Sequence, residues 1–104
     1  MNRACLFGAL VLLSGPVMAD TFCTLLEGAF VGKDRAAVAN VAELVRQGKT
    51  HEGWEYSVSH HVARTVFDTF PIVVERRDND MILFHADAAG KIHNWTEAES
   101  VRCP

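Results

Sequence analysis

The sequence is poor in the residues that punctuate or staple a fold: three prolines, seven glycines and three cysteines in 104 residues. No segment is low in complexity and none repeats, which excludes collagen-like, disordered and solenoid architectures. Positive charge is also scarce, with ten Lys and Arg against thirteen Asp and Glu for a formal charge of −3. A protein held on nucleic acid by phosphate contacts needs the opposite balance, gathered in a patch. The CxxC, HxH, HExxH and GxSxG spacings and any glycine-rich phosphate loop are missing as well. With them go the sequence signals of a thiol redox centre, a zinc protease, a serine hydrolase and a nucleotide-binding loop. No cofactor and no catalytic residue are expected.

What is present begins with an address. Met1-Asn2-Arg3 and the apolar run 4–17 read as the n- and h-regions of a secretory signal, with Val17-Met18-Ala19 as the cleavage site. Some 14 apolar residues interrupted by Gly15-Pro16 fall short of the ~20 that a spanning helix needs, so cleavage is expected rather than an anchor. The expected mature chain is residues 20–104, a single domain exported to a bacterial periplasm or secreted. It loses Arg3, the one charged side chain of the leader, so its formal charge becomes −4.

Cys5 leaves with the signal, and Cys23 and Cys103 remain. An even count in an exported chain predicts that they pair. Closing so long a loop disfavours the unfolded chain by roughly 4–5 kcal/mol on the chain-entropy account. Unpaired thiols, or links to another chain, are the other readings.

The expected fold is α+β, with N-terminal helices on one face of a small antiparallel sheet made by a C-terminal meander. Phe22, Leu25, Leu26, Ala29 and Phe30 fall on one helical stripe, so the spacing predicts a helix over 21–30. Asp34 caps a second helix with Ala37, Val38, Val41, Ala42, Leu44 and Val45 on its buried side, ended by Gly48 at C′. Residues 54–58 alternate as a strand, and 59–69 have helical spacing between Ser59 and Pro71; a single bent strand is the alternative.

Three apolar runs, 72–76, 81–86 and 91–96, are separated by turn chemistry at 77–80 and 87–90. A three-residue loop 88–90 with Gly90 left-handed pairs Asp87 with Lys91, His85 with His93 and Leu83 with Trp95. A three-residue loop 78–80 pairs Arg77 with Met81 and Val74 with Phe84. One face then collects Ile72, Val74, Ile82, Phe84, Ala86 and Ile92 as the core face for the helices. The other collects Val73, Glu75, Leu83, His85, His93 and Trp95.

That second face is the expected contact surface. An exported, mildly acidic, disulfide-closed chain without catalytic motifs reads as a binding protein for a protein partner, of the inhibitor or immunity type. The alternative is a metal- or small-ligand-binding module using His85, His93 and Glu75, since a cross-strand histidine pair brings its Cβ atoms to about 5 Å. His60 and His61 are adjacent and cannot readily chelate one ion. No nucleic acid and no membrane are expected as partners of the mature chain. The sequon Asn94-Trp95-Thr96 matters only in a eukaryotic secretory pathway.

Phe84-His85 and Gly90-Lys91-Ile92-His93-Asn94-Trp95 resemble the last hairpin of the SnoaL/nuclear-transport-factor-2-like fold. The resemblance implies a cone-shaped sheet around a pocket, with His60 or His85 among its lining residues.

Overall fold

The computed structural model describes residues 21–66, 69–86, 89–90 and 92–104. The expected signal segment, and the pairing of Asp87 with Lys91, lie outside the described residues. In chain order the elements are β1 (Thr21–Leu26), β2 (Phe30–Val31), α1 (Arg35–Arg46), α2 (Thr50–Ser59), β3 (Ala63–Arg64), β4 (Thr69–Asp78), β5 (Met81–His85), β6 (His93–Glu97), a 3-10 turn (Ala98–Ser100) and β7 (Val101–Arg102). Two helices pack with an antiparallel five-stranded sheet of order β6-β5-β4-β1-β7, and β2 pairs with β3.

The first expected helix is a strand. β1 runs through the sheet interior, paired with β4 on one side and with β7 on the other. The helical stripe and a period-2 alternation coexist in this segment, and the alternation wins. Cys23 and Leu25 point into the core, while Phe22 from the supposed stripe is 76% exposed. Thr21, Phe22, Cys23 and Thr24 are weak helix formers that suit a pleated surface. The β4 edge supplies the ladder that the local pattern could not anticipate.

α1 forms where its caps place it. Asp34 Oδ1 accepts from the backbone N–H groups of Ala36 and Ala37 at 3.0 and 3.5 Å. At the other end Gly48 takes φ +81°, with Gly48 N–H bonded to Val45 O at 3.0 Å and Lys49 N–H to Leu44 O at 2.9 Å. Those two bonds make a Schellman motif, which needs a left-handed residue at C′. Ala37, Val38, Val41 and Ala42 are buried as expected, whereas Leu44 and Val45 are only partly so.

The order of strand and helix expected over 54–70 is reversed. Helix α2 occupies 50–59, and the chain then turns through His61, at φ 58°, into the short β3. Ser59, expected to cap a following helix, is instead the last residue of α2. The 54–58 alternation does not follow burial, because Trp54 and Val58 are 63% and 58% exposed. The contact that anchors α2 is Gly53, where a Cβ would sit 3.1 Å from Val45 Cγ2. A glycine at the helix crossing was not visible as an anchor in a pattern of apolar residues.

The meander is present, with His85 opposite His93, Leu83 opposite Trp95 and Val74 opposite Phe84. Gly90 is left-handed at φ 67°. The loop between β4 and β5 is one residue shorter than expected, because Asp78, not Arg77, pairs with Met81. Asn79 carries the positive φ of 59° that this tight connection demands. The residue gained at the turn is absorbed further back, where Val74 pairs with Phe84 but Arg76 with Leu83. Glu75 is therefore the extra residue of a β-bulge.

Two buried clusters divide the interior. One joins Cys23, Leu25, Ala29, Ile72, Val74, Ile82 and Phe84. The other joins Ala37, Val38, Val41 and Val62 to Met81, with Trp95 packed against it. The helices thus meet the sheet at its Met81 and Trp95 side, not over Ile72, Val74, Ile82 and Phe84 as expected. Ala86 and Ile92, also expected in the core, are exposed, and Thr96 takes the place beside Ile82. Its buried hydroxyl donates to Phe30 O at 2.8 Å, so the one buried polar side chain among the described residues is satisfied. A disulfide links Cys23 to Cys103, closing 80 residues of chain.

Candidate functional site

The side chains of paired residues on neighbouring strands lie on one side of the sheet. The pairings Phe22 with Val73, Val73 with His85, and His85 with His93 therefore draw a continuous row across β1, β4, β5 and β6. Glu75, two residues beyond Val73 and at the bulge, reaches the histidine end of that row. Its Oε2 lies 2.6 Å from His85 Nδ1 and 2.7 Å from His93 Nδ1. The two imidazoles stand edge to face, 6.2 Å between centroids. An ionised carboxylate only accepts, so both rings carry their proton on Nδ1.

This corner is graded in exposure. The side chain of His85 is 14% exposed and that of Glu75 21%, while His93 is 47% exposed. Gly90 lies beside the far edge of the His85 ring, where an added Cβ would stand in ordinary contact, 3.5 Å from Nε2. Burial alone raises the Glu75 carboxyl, but the hydrogen bonds and charges of His85 and His93 outweigh it. The group is held below the usual carboxylate range.

The six residues expected on this face separate into two groups. Glu75, His85 and His93 converge, with Val73 beside them. Leu83 and Trp95 lie further along, toward the helices. Trp95 packs on the helix cluster, with the guanidinium carbons of Arg35 and Arg76 at 5.7 and 5.4 Å from its ring centre. The strongly exposed aromatic of the face is Phe22, which the helix assignment had hidden. The alternation of Cys23 and Leu25 with Phe22 and Thr24 was the signal that could have found it.

The remaining histidines belong to α2 and its end. His51 lies 3.3 Å from Glu55, His60 stacks on Tyr56 at 3.8 Å, and His61 occupies the left-handed turn. The hydroxyls of Ser57 and Ser59 are committed to carbonyls of the same helix. An apolar groove of about 120 Å³, open to solvent, is lined by Phe30, Val45, Gly53, Trp54, Val62 and Arg64 among others. Neither His60 nor His85 lines it.

No known protein family, curated protein or solved structure matches the chain. The class is defined by the fold itself. It is a small α+β domain with a five-stranded antiparallel sheet, one disulfide and a carboxylate–imidazole corner on one sheet face.

Proposed function

We propose that this is a small exported binding protein that acts on a protein partner, in the manner of an inhibitor or an immunity protein. It meets that partner with the part of the expected face that the helices leave open, Val73, Glu75, His85 and His93, extended at one end by Phe22. Leu83 and Trp95 lie at the helix end of the same face. The observation that carries this reading is Phe22, 76% exposed in direct line with Val73 and the two histidines. A large exposed aromatic beside half-buried aliphatic and polar groups is the composition of a contact surface, and such anchors dominate binding energy. The apolar leader and the disulfide support export to the periplasm or beyond. Mild acidity favours a basic partner.

A photo-crosslinking residue at position 22, with a second at the exposed position 54 on α2 as control, tests this in periplasmic extract. A discrete adduct from position 22 that is lost with Glu75→Lys is expected. Adducts from position 54 alone, or from neither, overturn the reading.

A further inference from the structure

We propose that Glu75, His85 and His93 form a binding site for a divalent transition-metal ion of the zinc class, held by Nδ1 of both histidines and Oε2 of Glu75. This uses the same face as the proposed function but does not depend on a protein partner. The three ligand atoms all lie within 4.8 Å of one another. The geometry already approaches that of a bound ion. Two ligands about 2.0–2.1 Å from a tetrahedral ion stand about 3.3 Å apart. The carboxylate oxygen is now 2.6 and 2.7 Å from the two nitrogens, so it has to withdraw by well under about 1 Å. His93, the most exposed of the three, has room to turn.

Two features set this corner up. The β-bulge inserts Glu75 as an unpaired residue beside the His85–His93 pair, and bulges recur where a strand must re-aim a side chain at a site. The hydrogen bonds to Glu75 turn Nδ1 of both rings toward the carboxylate, so these are the nitrogens that converge on one point. Binding through Nδ1 would move the proton of each neutral ring from Nδ1 to Nε2, so each imidazole stays neutral and keeps one N–H.

The donor set selects the ion. Two imidazoles and one carboxylate suit Zn²⁺, Co²⁺, Ni²⁺ or Cu²⁺. Ca²⁺ and Mg²⁺ take oxygen ligands, and soft monovalent copper takes sulfur. Both cysteines of the described chain are committed to the disulfide. Three protein ligands at an accessible corner leave coordination positions for water or for a donor from outside.

The test is titration of the purified protein with ZnCl₂ by calorimetry, and with CoCl₂ by visible absorption. One ion per chain is expected, with affinity falling tenfold or more in His93→Ala and Glu75→Gln and unchanged in His51→Ala. Imidazole ¹⁵N spectra of the unaltered protein give a second readout, in which the Nδ1 signals of His85 and His93 move together on addition of Zn²⁺. Failure to bind, affinity indifferent to His93→Ala, or movement confined to His51, His60 or His61 overturns the site. The two readings fail separately. Val73→Ser, with the crosslinking residue kept at position 22, should abolish the crosslinked adduct and leave Zn²⁺ binding intact.

Discussion

Gly32 and Trp95 exchange both of their backbone hydrogen bonds, Gly32 N–H to Trp95 O at 3.2 Å and Trp95 N–H to Gly32 O at 2.7 Å. The chain leaving β2 is thereby fastened to the edge of β6. A side chain here would press on its neighbours. A Cβ on Gly32 would lie 3.2 Å from Val38 Cγ2 and 3.3 Å from Val62 Cγ2. Gly32→Ala is therefore expected to destabilise by about 1–3 kcal/mol through overpacking, read as a lower urea midpoint with an unchanged slope. An unaltered midpoint would show that Val38 and Val62 can yield at no cost.

Trp95 and Phe22 stand on the same sheet face with opposite duties. Trp95 packs against the helix cluster, and Trp95→Ala should cost about 2–3 kcal/mol of folding stability. Phe22 is largely in water, and Phe22→Ala should stay within about 0.5 kcal/mol of the unaltered protein. Thermal melts of the two variants side by side check the contrast. Equal losses would contradict this division of the face.

The disulfide joins residues 80 apart, close to the full length of the described chain. Reduction, or the Cys23→Ser/Cys103→Ser pair, should lower stability by roughly 4–5 kcal/mol. The measurement is the denaturant midpoint with and without reductant. In the intact protein, non-reducing mass spectrometry should find neither Cys23 nor Cys103 alkylated.

Glu75 gives the metal-free protein a pH signature. Its folded carboxyl titrates below the ordinary value, because the ionised form is preferred beside His85 and His93. The stability this contributes is complete above the unfolded carboxylate's pKa of about 4.3, and is lost as pH falls through the lower folded value. Melting temperatures taken in chelator between about pH 6 and about pH 3 should show that loss, and Glu75→Gln should flatten it. Parallel curves would remove Glu75 from the acid transition.

Much of this was legible before any coordinates. Asp34 and Gly48 announced α1 because caps act through adjacent backbone groups. The alternation in 72–96 gave three strands and the His85–His93 pair, because register follows from period-2 patterning and loop length. The bulge was not legible. Moving one residue from the β4–β5 turn to position 75 leaves the local pattern unchanged at both places. β1 and α2 were misread for a related reason. A six-residue strand owes its state to β4 and β7, and α2 owes its seat to a glycine that registers as an absence of pattern. In the candidate site, Glu75, His85 and His93 were named from the sequence, but Phe22 was not.

The pairing of β1 also has a kinetic consequence. Its partners are distant in sequence, Val74 for Thr21 and Arg102 for Thr24. Loop-closure entropy must be met before such long-range contacts begin to repay it. The α1–α2 hairpin and the β4–β6 meander are local and can form early. β1 is made well before β4 and β7 and has to wait for both. Until residues 101–103 dock, Cys23 has no native sulfur to meet and one edge of the sheet stays open. The interval before β7 docks is thus when this chain is most exposed to mispairing and aggregation.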